Sequence, residues 1–177
     1  MSDDDQLMLR FQQGSREAFR ELFERYRDPV YGFFRRRIDH PSRAEELTQD
    51  CFLVLLRNAA RYEARAGFRS YLYGIAIHLL ANERRKAGRE VPPRDDNSCP
   101  ADNPNPEDTL WVRRALAELD ENDREILMLR EYEQLAYTEI AAVLDLPVNT
   151  VRSRLFRARI ALKEKLMPVN GDFGGLL

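Results

Sequence analysis

The stretch LAYTEIAAVLDLPVNTVRSRLFRAR, residues 135–159, decides the fold of the C-terminal part of the chain. Its first half predicts a short helix over 139–144 that is capped by Thr138 and whose apolar side chains face the core. The segment 145–147 predicts a tight turn, and Pro147 suits the first turn of a second helix. Two helices joined in this way are typical of a helix-turn-helix, whose second helix enters the major groove of DNA.

Helical periodicity divides the second helix into two faces. The apolar stripe, which must pack against the rest of the domain, consists of Val151, Leu155, Ala158 and Leu162. The opposite face is polar and basic, and its chemistry suits DNA because arginine bonds guanine edges and phosphates while phenylalanine contacts thymine methyl groups. We therefore expect the DNA-contacting residues to be Asn149, Thr150, Arg152, Ser153, Arg154, Phe156 and Arg157.

One residue departs from the usual form of this motif. Asp145 occupies the turn position where glycine is common, but aspartate tolerates left-handed backbone geometry better than most residues. The alternative interpretation is an amphipathic helical hairpin whose basic exterior is only a solvated face. A helix-turn-helix taken alone indicates DNA binding and no more specific activity.

A proline-rich segment separates this part of the chain from the N-terminal part. Residues 88–108, GREVPPRDDNSCPADNPNPED, contain five prolines and few large apolar side chains. Such a composition buries too little apolar surface to offset its ordering entropy, which predicts a flexible linker. The predicted organisation is one domain over 1–88, a linker over 89–107, a second domain over 108–167 and a tail over 168–177.

Both parts of the chain show helical spacing and no sustained strand-like alternation. In the N-terminal part, Ser15 is placed to cap a helix that begins near Arg16, and Asp28-Pro29 predicts a break in that helix. Ser42 and Glu45 have the spacing of a capping box for the next helix. Further helices are predicted over 68–85, 106–119 and 122–133, the last capped by Asp120. The predicted fold class is all-α, with two small helical domains.

The charge of the chain is balanced overall and uneven locally. The formal net charge is −2, which argues against indiscriminate coating of nucleic acid. Basic residues form two clusters, which are Arg84, Arg85, Lys86 and Arg89 in one and Arg152, Arg154, Arg157, Arg159, Lys163 and Lys165 in the other. Acidic residues gather elsewhere, among them Asp3 to Asp5. This pattern suits a protein that touches DNA at two places, although solvated helix faces give the same pattern.

Export, membrane insertion and metal chemistry find no support in the sequence. The acidic N-terminus lacks an apolar signal core, and the most apolar stretch, 71–81, is too short to span a bilayer. Cys51 and Cys99 form no metal-binding spacing or disulfide framework, so a reducing cytoplasm fits best. No carboxylate or thiol stands at ligand spacing from His78, so we expect neither a cofactor nor a catalytic site.

Two further blocks make a more specific interpretation possible. The runs AEELTQDCFLVLLRNAARYE (44–63) and FRSYLYGIAIHLLANERRK (68–86) resemble the second conserved region of sigma-70 family factors. The segment 132–162 resembles the fourth region. The short length and the bare linker resemble the extracytoplasmic-function group. Tyr71 stands where this family usually has tryptophan, a change that is expected to conserve packing. His78 stands where the family often has asparagine, so the family's −10 base preference is not carried over.

The resemblance implies a division of roles along the chain. The helix matching 44–57 would dock on the clamp helices of the largest RNA polymerase subunit, through Leu47, Gln49, Asp50, Phe52 and Val54. Within it, Leu47, Cys51 and Leu55 are expected in the core, with Phe52, Val54 and Leu56 as surplus apolar side chains. The −10 promoter element would be opened and recognised through Tyr62, Arg65, Phe68, Arg69, Tyr71, His78, Asn82, Arg85 and Lys86, with the loop 62–69 capturing a flipped base. In the helix predicted over 68–85, Leu72, Ile75 and Leu79 are expected in the core.

The resemblance also implies partners. The C-terminal domain would read the −35 element, and the flap of the second-largest polymerase subunit would be a further contact. An anti-sigma factor would be an inhibitory partner, although no residue of this chain shows it. Two alternatives remain, a free-standing helix-turn-helix regulator, which leaves the block 44–86 unexplained, and an enzyme acting on nucleic acid, which would need clustered carboxylates or a metal site.

Overall fold

The computed structural model describes residues 2–90 and 106–167, and the regular elements in these ranges are all helical. The N-terminal bundle consists of α1 (Asp3–Gln12), α2 (Arg16–Arg35), α3 (Pro41–Asn58), a 3-10 turn (Ala59–Arg61) and α4 (Phe68–Glu90). The C-terminal bundle consists of α5 (Pro106–Ala117), α6 (Glu121–Glu131), α7 (Tyr137–Leu144) and α8 (Val148–Leu166). The predicted all-α fold class is confirmed. The predicted linker falls mainly outside the described residues, and the predicted tail entirely so.

Of the four predicted helix N-caps, two form and two do not. The Ser15 hydroxyl accepts from the backbone N–H of Ala18, and Asp120 accepts from two N–H groups at the start of α6. The predicted Ser42 cap is wrong, because α3 begins at Pro41, a residue favoured in the first helical position. The predicted Thr138 cap is also wrong, because α7 begins at Tyr137.

The predicted break at Asp28-Pro29 is wrong as well. α2 runs without interruption through Pro29, although a proline inside a helix costs about 3 kcal/mol. Side chains on both sides of it, Leu22 before and Val30 and Phe33 after, are fully buried in one core. Their shared burial outweighs the lost backbone hydrogen bond, because each such side chain contributes about 1.5–3 kcal/mol.

The N-terminal core lies between α2, α3 and α4, with α1 packed across α2. Leu72 is buried in it as expected, whereas Ile75 and Leu79 are only half-buried and Ala76 and Leu80 take the inner positions. The buried face of α4 is therefore centred on Ala76 and Leu80 and not on Ile75 and Leu79. The outer half-buried pair lies along the groove between the two bundles.

Cys51 lies at the centre of this core. Its thiol is fully buried and faces the carbonyl oxygen of Leu72 at 3.9 Å. Burial raises the pKa of the Cys51 thiol to about 12, so it stays protonated at neutral pH.

The C-terminal core is closed by the turn between α7 and α8. Asp145 adopts the left-handed conformation expected of it, with φ 51° and ψ 50°. The predicted stripe of α8 packs on α6 and α7, with Val151, Leu155 and Ala158 buried and Leu162 half-buried. The two-helix arrangement of a helix-turn-helix is therefore present.

Candidate nucleic-acid interface

The outer face of α8 is the most accessible of the predicted DNA-binding surfaces. The Phe156 ring is 66% exposed, which is unusual for a large apolar side chain without a partner. Around it, the exposed residues are Asn149, Arg152, Ser153 and Arg157, and Thr150 and Arg154 are half-buried. All seven residues predicted for this face therefore reach its surface.

The arginines of α8 differ in whether an acidic side chain neutralises them. Arg159 pairs with Glu131 at 2.6 Å, and this contact raises the pKa of the guanidinium. Within residues 2–90 and 106–167, neither Arg154 nor Arg157 has an ion-pair partner. The uncompensated positive charge is thus concentrated on the outer face, where a phosphate backbone can approach it.

The predicted base-capturing loop, 62–69, is anchored at both ends and exposed between them. Tyr62 is buried, and Phe68, the first residue of α4, is 0% exposed. Between them the Arg65 side chain lies in solvent beside Glu63, at 2.8 Å. Gly67 has φ +82°, a left-handed conformation that favours glycine. The two aromatic rings are therefore part of the core in this structure, and the exposed loop is the segment 63–67.

A single carboxylate joins the two anchors. Asp5 Oδ1 accepts from the Tyr62 hydroxyl and from the backbone N–H of Phe68, each at 2.7 Å. Burial opposes the charge of Asp5, but hydrogen bonds from Tyr62, Ser2 and Phe68 outweigh it and hold the pKa of this carboxyl group below its ordinary value. Gln12, at the other end of α1, donates to the carbonyl oxygen of Tyr62 at 2.9 Å.

A groove of about 590 Å³ runs beside this loop. One wall is the exposed face of α4, with Tyr71 and His78, and the opposite wall is α7, with Ala142 and Val143. Ser70 Oγ is buried at its edge and has no hydrogen-bond partner among the described residues. The predicted −10 side chains of α4 therefore face the C-terminal bundle here.

The remaining cations of α4 fall into two groups. Arg69 bonds the backbone carbonyl of Glu133 and lies 3.6 Å from the Glu139 carboxylate, and Arg84 pairs with Glu121 at 2.8 Å. Arg85 donates to Asn82 of its own helix, and Lys86 is exposed. Part of the predicted −10 surface is thus engaged by the C-terminal bundle.

Glu133 lies at the centre of the contact between the two bundles. Its carboxylate accepts from Arg36 at 2.9 Å and from Arg37 at 3.3 Å, and Tyr73 lies within 3.5 Å. Arg37 also pairs with Glu125 at 2.8 Å, and the side chains of Arg37 and Glu133 are each 2% exposed. Removing one member of so buried a cluster leaves an uncompensated charge, which costs about 3–5 kcal/mol.

The predicted polymerase-binding helix α3 exposes a different set of side chains from the one expected. Leu47 is buried as expected for a core residue, but the prediction of Phe52 as a surplus side chain is wrong, because it is 4% exposed and packs edge-on against Phe23 at 4.8 Å. Gln49 is exposed, and Asp50 and Val54 are half-buried.

An apolar strip lies beside these residues on α3. Leu53 is 46% exposed and Leu56 is also exposed, and together with Gln49 they follow helical spacing. A groove of about 350 Å³ between α2 and α3 borders Gln49 and the edge of Phe52. The helix therefore offers one mixed apolar and polar face to a partner.

Sequence reasoning missed three residues at these sites. Leu53 has the i+4 spacing from Gln49 that would have placed it on the exposed face. Asp5 belongs to an acidic N-terminal run, and Glu133 stands in a polar turn. Ser2 and Asp5 have the spacing of a capping box, and that box forms at the start of α1. No local pattern reveals the burial of either carboxylate, because the partners that bury them are distant in sequence.

The described residues contain neither a metal site nor a membrane-spanning helix. Over 2–90 and 106–167, no group of three or more histidine, cysteine or carboxylate side chains is placed to hold a metal ion. In the same ranges, no helix combines the length and the apolar character needed to cross a bilayer.

Comparison with known proteins places both bundles in one family. The family model for Sigma-70 region 2 matches residues 22–90, and the model for Sigma-70, region 4 matches residues 109–162. The RNA polymerase sigma-H factor of Pseudomonas aeruginosa is 33% identical over 183 residues, covering 94% of this chain and 95% of that protein. The ECF RNA polymerase sigma-E factor of Escherichia coli K12 is 32% identical with the same coverage.

Solved structures show the same fold. CnrH, in a complex with the cytosolic domain of CnrY, superposes with a TM-score of 0.72 at 23% identity, covering 92% of this chain and 96% of that chain. The sigma factor RpoE of Bartonella quintana, in a complex with the anti-sigma factor NepR, gives a TM-score of 0.72 at 24% identity over 84% of this chain and 96% of that chain.

Proposed function

Because this chain belongs to the extracytoplasmic-function group of the sigma-70 family of RNA polymerase sigma factors, we propose a specific role for each surface described above. The chain binds the polymerase core and directs initiation at specific promoters, as a member of a family that is not one of enzymes. We propose that it has no catalytic activity of its own and needs no cofactor. The observation that carries the proposal is the presence of both family regions, in order, on two helical bundles.

The C-terminal bundle is proposed to read the −35 element through the outer face of α8. Arg157 and Ser153 would contact base edges, and Phe156 would contact a thymine methyl group. Arg154 would contact phosphates, which position the helix without specifying sequence. Two observations support this assignment: Phe156 is exposed, and Arg154 and Arg157 have no ion-pair partner among the described residues.

The N-terminal bundle is proposed to open and recognise the −10 element. The exposed loop 63–67 with Arg65 would form the rim of a base-capturing site, beside Tyr71 and His78 of α4. Arg85 and Lys86 would neutralise the backbone of the separated strand. The buried rings of Tyr62 and Phe68 would support the loop from below, and Asn82 would line the same face of α4.

The proposed surfaces for protein partners lie on α3 and on the C-terminal bundle. We propose that Gln49, Asp50 and Val54, with Leu53 and Leu56, dock on the clamp helices of the largest polymerase subunit, while Leu47 and Phe52 stiffen that face from inside. The flap of the second-largest subunit would hold the C-terminal bundle. A cytoplasmic location and regulation by an anti-sigma factor are also proposed, since the family resemblance implies both.

Promoter binding would require the two bundles to separate. The −10 and −35 elements are named for positions about 25 base pairs apart, which is about 85 Å of B-form DNA at about 3.4 Å per base pair. A compact chain of this length is only about 40 Å across. The segment 91–105 reaches about 50 Å when fully extended, enough to let the bundles move apart. We therefore infer that the Glu133 contact opens when the protein engages a promoter.

Run-off transcription from a promoter library with bacterial core polymerase tests the proposal. Transcripts that appear only when this protein is added, from starts that share paired −10 and −35 elements, are the expected result. Core polymerase alone and the protein alone are the controls. DNA binding by the protein without stimulation of transcription or association with core polymerase would instead identify a free-standing regulator.

A further inference from the structure

We propose that Asp5 is a positioning residue for −10 recognition, which rests on the proposed function of the loop 63–67. The loop residues Glu63 to Ala66 are exposed, so packing contributes little to holding them in one conformation. What fixes the loop is the placement of its two ends, and the Asp5 carboxylate contacts both of them. Tyr62, just before the loop, and Phe68, just after it, therefore bond to the same oxygen atom, Asp5 Oδ1.

The first anchor is Tyr62, just before the loop. Its hydroxyl donates to Asp5 Oδ1 at 2.7 Å, and its carbonyl oxygen accepts from Gln12 at 2.9 Å. Burial and the bond to Asp5 raise the pKa of Tyr62, so the hydroxyl keeps the proton that it donates. α1 thus holds Tyr62 at the ring end and at the backbone, from opposite ends of the helix.

The second anchor is the N-terminus of α4, just after the loop. The Phe68 N–H is one of the donors that no intrahelical carbonyl satisfies, and Asp5 accepts from it at 2.7 Å across 63 residues of sequence. A carboxylate at this position also complements the positive end of the helix dipole. Asp5 therefore caps α4 from another helix, in place of the local side chain that usually does so.

The neighbouring residue Asp4 provides a matched comparison. It is also a buried aspartate in the first turn of α1, but its carboxylate accepts from the Tyr26 hydroxyl and from Arg25, both on α2. Replacing Asp4 loosens the attachment of α1 to α2 without removing a bond to the loop. If Asp5 contributed only to stability, replacing Asp5 and replacing Asp4 would have the same effect on −10 discrimination.

The experiment compares Asp5→Ala, Asp5→Asn and Asp4→Ala in the full chain with core polymerase. The template is a promoter taken from the run-off library, together with single-base variants of its −10 and −35 elements. The measured quantities are the transcript ratio between preferred and substituted bases, the fluorescence of 2-aminopurine at the captured −10 position, and the thermal midpoint of each variant.

We expect Asp5→Ala to reduce discrimination at the captured −10 base about tenfold and to reduce the 2-aminopurine signal, because about one charged hydrogen bond per anchor is lost. Discrimination at −35 should stay unchanged. Asp5→Asn should restore only part of the −10 discrimination: its amide oxygen can still accept from both anchors, but its NH2 group cannot accept from the Ser2 N–H as Asp5 Oδ2 does. Asp4→Ala should lower the thermal midpoint and leave both discriminations within about twofold of the original protein.

Equal −10 discrimination in Asp5→Ala and Asp4→Ala would overturn the proposal. If Asp5→Ala fails to fold, Tyr62→Phe removes one of the two anchors at small structural cost, and unchanged discrimination in that variant would overturn it equally. An original protein that directs no core-dependent initiation would overturn the proposed function itself, which is a different outcome from normal initiation with unaltered discrimination in the variants.

Discussion

The two surfaces proposed to contact promoter DNA are built in opposite ways. On α8 the side chains that would touch DNA project from the helix, and Arg154 and Arg157 have no acidic partner among the described residues. Around the loop 63–67 the aromatic side chains lie in the core and Arg69 is bound to the other bundle. The surface proposed to bind the −35 element is therefore accessible as it stands, whereas the surface proposed to bind the −10 element would depend on buried support and on the release of a contact.

The largest expected effect concerns the buried rings beneath the loop. Phe68→Ala should lower the free energy of unfolding by about 3–5 kcal/mol, because the ring is fully buried and packs edge-on against Tyr26 at 5.3 Å. Phe156→Ala on α8 is the matched change, and it should alter stability by less than about 0.5 kcal/mol while weakening −35 binding. Urea denaturation measures the first quantity and a DNA-binding titration the second. Similar losses of stability from both changes would remove the contrast between the surfaces.

The next effect concerns the contact between the bundles. Glu133→Gln should weaken the closed arrangement by about 3 kcal/mol, roughly a hundredfold in population, because Arg36 and Arg37 both lose a buried carboxylate and only Arg37 keeps another, that of Glu125. Energy transfer between dyes on cysteines introduced at Glu45 and Lys163, in a Cys99→Ser background, should fall.

Glu131→Gln is the control for that change. Glu131 pairs with Arg159 inside the C-terminal bundle and makes no ion pair with the N-terminal bundle in the described residues. Energy transfer should therefore stay as in the unmodified sequence. A Glu133→Gln protein that also keeps its transfer efficiency would show that this carboxylate does not hold the bundles together.

A smaller effect is expected at single bases of the −35 element. Arg157→Ala should cost about 1–3 kcal/mol in binding and relax the preference at one position, because an arginine that bonds a guanine edge discriminates by that amount. Binding to a set of −35 variants measures it. An even loss of affinity across all variants would move Arg157 from the base-contacting group to the phosphate-contacting group.

The smallest effect is expected from a phosphate contact. Arg154→Ala should weaken binding equally for all sequences and reduce the dependence of log K on log salt concentration by about 0.9. Arg159→Ala is the comparison, because Glu131 already neutralises that arginine, and its effect on the slope should be smaller. Titrations at several salt concentrations measure both. A larger change in slope for Arg159→Ala than for Arg154→Ala would contradict the proposal that Arg154 contacts phosphate while Arg159 is neutralised by Glu131.

The same contrast explains what the sequence could predict. On α8 the periodicity of Val151, Leu155 and Ala158 is sufficient, because a helix packed on one side has its exposed side fixed by geometry. The caps at Ser15 and Asp120 were predictable for a similar reason, since each bonds within three residues of itself. Helical spacing in both parts of the chain predicted the all-α fold class, and family resemblance then supplied the order of the two regions.

The predicted caps at Ser42 and Thr138 fail for a local reason, because each residue lies inside a helix that begins one residue earlier. The other failures involve partners distant in sequence. Pro29 breaks an isolated helix but not one whose two halves share a core. Ile75 and Leu79 were expected inside, yet α4 has neighbours on two sides and its inner face is shared between them. The roles of Asp5 and Glu133 depend on Tyr62, Phe68, Arg36 and Arg37, which only the folded chain brings to them.

The burial of Cys51 has a practical consequence for measuring local unfolding. Because burial raises the pKa of the Cys51 thiol to about 12, the thiol stays protonated at pH 7, and the sulfur is fully buried. An alkylating reagent should therefore modify Cys51 only during transient openings of the core. In a Cys99→Ser background, the alkylation rate divided by that of an unfolded control gives the equilibrium constant for opening. The alkylation rate of Cys51 therefore reports how often the N-terminal bundle opens locally.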